Sequence, residues 1–413
     1  MIALRRFLSQ VPAVRFALVA GLAFAAAAQV QAQNFQTSAP QAVLLDAETG
    51  AIVFEHDGDR LVAPASLVKI MTAEIVFREI AAGKLKLEDE FTVSENAWRR
   101  GGAPSGGSSM FASLNSRVKV QDLLAGLLVA SGNDAAIVLA EGLAGNEANF
   151  ALMMTKRARE LGLPRSTFKN AHGMPDPEQR ATMREMAQLS AHIIRTYPEL
   201  YKIFGLRDFT WNRIRQQNRN PLLAMEFGAD GLKTGNIEES GFSLVGSAVQ
   251  GGQRLIVAVS GLKTSRDRQN ESKKILDWGF RSFEVKSLFN AGAVVGEASV
   301  FGGAEGGVDL VTRRDFGLPV PRGNQERVSA KIVYRGPLVA PVEAGIQIAK
   351  LQVYRGPLMV MEAPLYTGEG VERGSLRQRA TDAALELGRV LIKSGFQKAT
   401  SKPDPAKPAE PAR

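Results

Sequence analysis

Three short motifs stand in order along the chain: Ser66-Leu67-Val68-Lys69, then Ser131-Gly132-Asn133, then Lys233-Thr234-Gly235. For them to act together, the fold must bring a helix, a turn and a strand from three distant segments to one cleft. That demand restricts the architecture more than any bulk property does. Ser66 follows Ala63-Pro64-Ala65, which turns the chain, and precedes an apolar helical run of Leu67, Val68, Ile70, Met71 and Ala73. The serine therefore falls at a helix N-terminus, where backbone amides lack intrahelical partners. Lys69 lies one turn along the same face, within reach of the hydroxyl.

A serine hydroxyl is a weak nucleophile until a base takes its proton. Cysteine is absent and only His56, His172 and His192 are present, so disulfides, thiolate zinc sites and cysteine nucleophiles are excluded. Little material is left for a Ser-His-Asp triad or a histidine metal centre. The candidate base is Lys69, whose pKa must fall through burial and a neighbouring cation, for which Lys233 is the expected source. Ser131 can relay a proton and Asn133 can hold a peptide carbonyl. Lys233 and Thr234 offer a cation and a hydroxyl to a carboxylate, and Gly235 lets an extended substrate lie along the strand edge.

None of these spacings is selective alone. Ser116-Arg117-Val118-Lys119 and Ser166-Thr167-Phe168-Lys169 share the first, and Ser94 to Asn96 and Ser113 to Asn115 share the second. Lys263-Thr264-Ser265 imitates the third without its glycine, although Arg268 nearby can assist with a carboxylate.

Around the motifs, Ala42–Asp46 and Ile52–Glu55 read as strands joined by the turn Glu48-Thr49-Gly50. Helical patterns cover Leu67–Ile80, Asp122–Leu128, Glu147–Leu161 and Met183–Arg195, and strands return from Gly231, with Gly241–Ala248 and Arg254–Val259 the clearest. A last helix, about Arg268–Phe280, closes this unit. Strands at both ends and helices between them imply one sheet backed by helices, its first and last strands adjacent.

The remaining segments have other textures. Arg5, Arg6 and Arg15, an apolar run from Phe16 to Ala28 and Val30-Gln31-Ala32 form an export signal over residues 1–32. The run is shorter than the ~20 residues of a membrane span. Removing residues 1–32 takes the formal charge from +9 to +6, and no basic and aromatic cluster suggests nucleic acid. The peptidase unit is expected over 33–287 and a small β-rich domain over 288–373, in which Val-Tyr-Arg-Gly-Pro-Leu occurs at 333–338 and 353–358. Residues 374–397 form an amphipathic helix, with Leu376, Ala380, Ala383, Leu387, Val390 and Leu391 on one side and Arg379, Asp382, Glu386, Arg389 and Lys393 on the other. It reads as an in-plane membrane anchor over 375–396, followed by a disordered Pro/Ala-rich tail over 398–413.

On the three motifs, and on Gly101–Phe111, Asp134-Ala135-Ala136, Glu271–Lys274 and Trp278–Arg281, the chain resembles the D-alanyl-D-alanine carboxypeptidase family of low-molecular-mass penicillin-binding proteins. The resemblance implies an α+β, β-lactamase-like domain with helices around an antiparallel sheet, a C-terminal all-β domain and a terminal amphipathic helix. It implies Ser66 as the acylated nucleophile, Lys69 as proton acceptor, Ser131 as relay, and Lys233 with Thr234 as the clamp for the terminal D-alanine carboxylate. The oxyanion would sit between the amides of Ser66 and Asn236, where members often carry histidine instead of Asn236. Peptidoglycan stem peptides are the implied substrate, β-lactams the implied covalent inhibitors, and the periplasmic face of the inner membrane the implied location. No metal or organic cofactor is implied. Three rival readings share the motifs: a serine β-lactamase, an endopeptidase on cross-linked wall, and a wall-shaping scaffold with little turnover. The first is disfavoured because no Glu-x-x-x-Asn element lies between Asn133 and Lys233.

Overall fold

The computed structural model describes residues 35–322 and 328–384, so the export signal, the tail and residues 385–396 of the terminal helix lie outside the described residues. In chain order the strands are β1 (Gln41–Asp46), β2 (Ile52–His56), β3 (Glu90–Thr92), β4 (Arg117–Lys119), β5 (Asp208–Trp211), β6 (Ile214–Gln217), β7 (Ala229–Ile237), β8 (Gly241–Gln250) and β9 (Gln253–Leu262). Then follow β10 (Phe283–Phe289), β11 (Val294–Phe301), β12 (Gly307–Val311), β13 (Phe316–Pro321), β14 (Val328–Tyr334), β15 (Leu338–Val339), β16 (Gln347–Arg355) and β17 (Leu358–Thr367).

The main sheet is antiparallel with order β2-β1-β9-β8-β7. The first strand thus pairs with the last, Val43 opposite Ala258, as the pattern at the two ends of the domain implied. The β1–β2 connection tightens because Asp46 Oδ1 accepts from the Thr49 amide at 2.9 Å and its hydroxyl at 2.8 Å, while Gly50 takes φ +72°. At the other edge lies β7, which carries the third motif.

The helix Val68–Ala81 has every residue from Val68 to Phe77 buried, so it is the central rod around which the other helices pack. Most of its neighbours are capped by a side chain. Ser94, Asn146, Thr182 and Thr264 each accept from an amide three residues on, starting Glu95–Gly101, Glu147–Glu160, Met183–Thr196 and Ser265–Ser282. Thr264 therefore has a structural duty, which accounts for the imitation of the third motif. The central helix and the one-turn 3-10 segment Ala65–Leu67 before it have no such cap. The Leu67 amide donates to the Pro64 carbonyl at 3.1 Å and the Val68 amide to the Ala65 carbonyl, so of the leading amides it is that of Ser66 that stays available for a ligand.

Ser265–Ser282 runs directly into β10, so strand structure begins at Phe283, ahead of the expected boundary near Leu288. Phe283 packs edge-on against Trp278 at 5.0 Å, which fixes the change of direction there. Beyond it, a six-stranded sheet of order β14-β16-β17-β12-β11-β15 and the pair β10–β13 enclose a second core that includes Leu310, Leu351 and Leu365. Residues 376–384 are helical. Their polar side meets the β domain: Gln378 Nε2 donates to the Ala304 carbonyl at 3.1 Å, and Asp382 accepts from the Gly302 amide at 2.8 Å. Leu376, from the expected apolar side, is 78% exposed.

Candidate active site

The first motif is held in a strained setting. Ala65 adopts φ +49°, a left-handed conformation that costs a non-glycine residue about 1–2 kcal/mol, and it aims the following serine into the cleft. Gly173 presses on the same point. A Cβ there would lie 2.0 Å from the Ala65 carbonyl oxygen, and its φ is +92°, so only glycine fits. Ser66 is half-buried, while Lys69 is completely buried one turn deeper.

Lys69 Nζ has three oxygen neighbours: Ser66 Oγ at 3.1 Å, Asn133 Oδ1 at 2.7 Å and the His172 carbonyl at 2.5 Å. The last two can only accept. A neutral amine has two N–H groups and one lone pair. Spending both N–H groups on Asn133 and His172 leaves the lone pair directed at the Ser66 hydroxyl. Burial first, and the Arg219 charge second, pull Lys69 down to about 7, against an opposing pull from Asp134. The neutral form is thus accessible near neutral pH.

The second motif enters from the start of the helix Asn133–Ala144. Ser131 adopts φ +60°, and Gly132 accommodates the turn because a Cβ would lie 2.8 Å from Asp134 Oδ1. Asp134 is buried and accepts from the Met110, Ala112 and Ala135 amides and the Ser109 hydroxyl at 2.7–3.1 Å. That carboxylate fastens the motif to the loop 108–112. Ser131 Oγ lies 3.0 Å from Lys233 Nζ, so the site contains two serine–lysine pairs.

The third motif occupies the middle of β7 rather than its opening residues. Lys233 is buried and also donates to the Thr234 carbonyl at 3.1 Å. Burial, then Lys69, Arg219 and Arg268, hold it well below the usual lysine range. Arg219 adds a second cation to the one expected beside Lys69, and the repulsion between Lys69 and Lys233 acts on the pair. Gly235 is required because a Cβ would lie 2.5 Å from Ser243 Oγ and 3.1 Å from the Ala65 Cβ.

A cleft of about 350 Å³ joins these parts, lined by Ser66, Ser131, Thr234, Gly235, Asn236 and Arg268, together with Ser108, Arg219 and Phe242. All nine residues singled out in the sequence either line this cleft or touch residues that do. Arg268 stacks over Phe242 at 5.5 Å and is lowered by burial to about 10, so it keeps its charge at neutral pH. Arg219 donates to Ser108 Oγ at 2.6 Å. It was missed in the sequence because Arg215-Gln216-Gln217-Asn218-Arg219 carries no motif. The decoys lie elsewhere: Lys169 is on the surface beside Glu178, and Ser166 is bound to the buried Glu185. Among the described residues no cluster of three or more His, Asp or Glu side chains is placed to hold a metal ion.

This geometry places a serine hydroxyl beside a buried lysine amine at the edge of a cleft. A family model described as D-alanyl-D-alanine carboxypeptidase matches residues 26–264, and one for the C-terminal domain of penicillin-binding protein 5 matches 283–373. D-alanyl-D-alanine carboxypeptidase DacC of Escherichia coli is 38% identical over 88% of this chain and 92% of that protein. The crystal structure of penicillin-binding protein 5 from Haemophilus influenzae superposes with a TM-score of 0.70 at 38% identity, over 83% of this chain and 99% of that one. Penicillin-binding protein D2 of Listeria monocytogenes, in its ampicillin-bound form, has a TM-score of 0.52 at 28% identity over 60% of this chain and 99% of that one. The chain belongs to the D-alanyl-D-alanine carboxypeptidase family. It is a serine hydrolase, and DD-carboxypeptidase activity is the function its relatives support over the endopeptidase and scaffold readings.

Proposed function

We propose that the chain removes the terminal D-alanine from peptidoglycan pentapeptide stems through an acyl-enzyme on Ser66. The observation that carries this reading is the occupation of both Lys69 N–H positions by acceptor-only oxygens, which leaves a lone pair for the Ser66 proton. In acylation the Ser66 proton passes to Lys69 Nζ while Oγ bonds to the carbonyl of the penultimate D-alanine. The oxyanion is stabilised by the amides of Ser66 and Asn236, and Asn236 needs no ionisable side chain for that task. Ser131, beside Lys233, hands a proton to the departing D-alanine nitrogen as the C–N bond breaks, and the proton that Lys69 took from Ser66 replaces it, so Lys69 is neutral again. Arg268, Arg219 and Thr234 bind the terminal carboxylate, with Lys233 behind them, and Asn133 bridges Lys69 and the incoming peptide. Water then cleaves the ester and returns Ser66.

A β-lactam places its amide carbonyl and carboxylate where the D-Ala-D-Ala end places its own, so it acylates Ser66 and stays. Purified protein given a D-Ala-D-Ala-ended pentapeptide is expected to release one alanine by mass spectrometry, and Ser66→Ala to release none. Release with Ser66→Ala intact would sink the assignment. The reading extends to location: residues 1–32 direct export, and 375–396 hold the protein on the periplasmic face of the inner membrane. Among the described residues no helix is long and apolar enough to cross a membrane. Truncation after Arg373 is expected to move the protein from the membrane to the soluble fraction with peptide cleavage retained. Unchanged fractionation would refute the anchor.

A further inference from the structure

The His172 carbonyl is one of the two acceptors that orient Lys69, so whatever fixes that carbonyl also aims the base. Two attachments come from the near side. Ala171 O accepts from Thr72 Oγ1 at 2.6 Å, and Gly173 is wedged against Ala65. The third comes from the far side through the His172 ring. That ring is buried, with Nδ1 accepting from the Met174 amide at 3.1 Å. The tautomer therefore carries its proton on Nε2, which lies 3.0 Å from Glu147 Oε2, a close charge–dipole contact that is not aligned as a linear hydrogen bond.

Glu147 opens the helix Glu147–Glu160, and its other oxygen is 3.1 Å from Arg100 Nη1 and 3.5 Å from Asn96 Nδ2. Burial raises its pKa, but the His172 ring and the Arg100 charge more than offset that and hold the carboxyl below its ordinary value. Burial lowers His172, and Lys69 and Arg100 lower it further against the pull of Glu147. An anion thus faces a neutral N–H donor at the pH where Lys69 must be uncharged.

We propose that Glu147 is a positioning residue for acylation: through the His172 ring it seats loop 170–174 on the catalytic helix and so sets the orientation and dryness of the Lys69 amine. The inference rests on Lys69 being the base. The groups facing Lys69 are Arg219, Lys233 and Asp134, and those facing His172 are Glu147, Arg100 and Lys69. Without the Glu147 contact the loop is still held at its two ends by Gln179, which bonds Asn170 and the Met174 carbonyl, but the His172 ring at its centre loses its anchor, and a displacement of a few tenths of an ångström misdirects the lone pair and admits water. Burial is the largest cause of the low Lys69 pKa, so hydration raises it.

The experiment compares Glu147→Ala and Glu147→Gln in the full chain, reading the rate of acylation by a fluorescent penicillin from pH 5 to 9 alongside thermal unfolding. Glu147→Ala is expected to acylate about ten- to a hundredfold more slowly at neutral pH, with the acid limb displaced to higher pH. Glu147→Gln keeps an oxygen for the ring N–H and is expected to restore both the rate, within about threefold, and the limb. Should Glu147→Ala not fold, His172→Phe, which keeps a ring and removes its nitrogens, carries the same expectation. A folded Glu147→Ala whose rate and limb match the wild type overturns the proposal, and so does Glu147→Gln as slow as Glu147→Ala. Loss of the Lys69 role itself would appear separately, as a Lys69→Met variant that still acylates.

Discussion

The two cores of this protein differ in what they bury. Around the Val68–Ala81 helix the interior holds Lys69, Glu74, Asp134, Glu185 and Lys233, whereas among the described residues of 283–373 the only buried polar side chains are Thr312 and Thr367. Glu74 receives Arg157 Nε and Nη2 at 3.0 and 2.9 Å, and Asp134 and Glu185 are saturated by amides and hydroxyls. Asp134 and Glu185 are satisfied and act as fasteners, while Glu74 takes Arg157 through Oε1 alone and its Oε2 has no hydrogen-bond partner among the described residues. Lys69 and Lys233 have no carboxylate partner among their hydrogen bonds, and both are pushed toward the neutral form. An unpaired buried amine is a cost to folding that the β domain does not carry. The contrast separates a half that stores electrostatic strain for chemistry from a half that only packs.

The sharpest way to break that contrast is at Ser66, the proposed nucleophile. Ser66→Ala is expected to lower acylation by a penicillin about a millionfold, measured by mass of the adduct, with unfolding unchanged. Next comes Lys69→Met, expected to slow acylation about a thousandfold or more while raising stability by about 1–4 kcal/mol, read by calorimetry. Its pH signature has a definite sign. With a folded pKa of about 7 against 10.5 unfolded, the wild type loses stability as pH falls from 10.5 toward 7, and the loss is constant below 7. Lys69→Met should flatten that slope. For activity, the wild-type acylation rate should rise through pH 7 as the amine loses its proton. A rate independent of pH between 5 and 8 would show that Lys69 is not the base.

Gly173→Ala tests whether backbone contact, rather than charge, sets the nucleophile. Its Cβ meets the Ala65 oxygen at 2.0 Å in a left-handed conformation, so the loop must move. Acylation is expected to drop by about a hundredfold, with a smaller loss of stability, about 1–3 kcal/mol. Equal rates for variant and wild type would show that loop 170–174 does not aim the site.

Much of this was legible because the chemistry is written in contiguous residues: a helix turn places Ser66 and Lys69, and strand alternation places Lys233 and Gly235 on β7. The helix Asn133–Ala144 was not read, since Asn133–Ala140 is buried on every side and shows no 3.6-residue polarity. Arg219 and the Glu147–His172 contact were invisible because each depends on segments that meet only in three dimensions. The repeated hexapeptide gives a further lesson. At 353–358 it makes a hairpin, Arg355 opposite Leu358, while at 333–338 it leads from β14 across to β15, which pairs in parallel with β11. Identical sequence received different roles from its neighbours.

In the β domain, Leu365→Ala is expected to cost about 2–5 kcal/mol, with acylation within about twofold of wild type. A fall in acylation at a temperature where the variant is folded would erase the distinction between the halves.

The smallest effect belongs to Arg355, where the two halves meet. Its guanidinium donates to the Val53 carbonyl at 3.0 Å and the Pro319 carbonyl at 2.7 Å and lies 5.2 Å from the Phe283 ring. Ala51, on the β1–β2 side, is itself part of the second core. Arg355→Ala leaves the carbonyls of two buried residues without this donor, so the cost should be about 1–2 kcal/mol. The expected sign is a modest rise in proteolytic cleavage between the halves, with acylation of small substrates unchanged. If acylation falls in step with the proteolysis, the packing half is coupled to the site through β2, and the division drawn between the two cores fails.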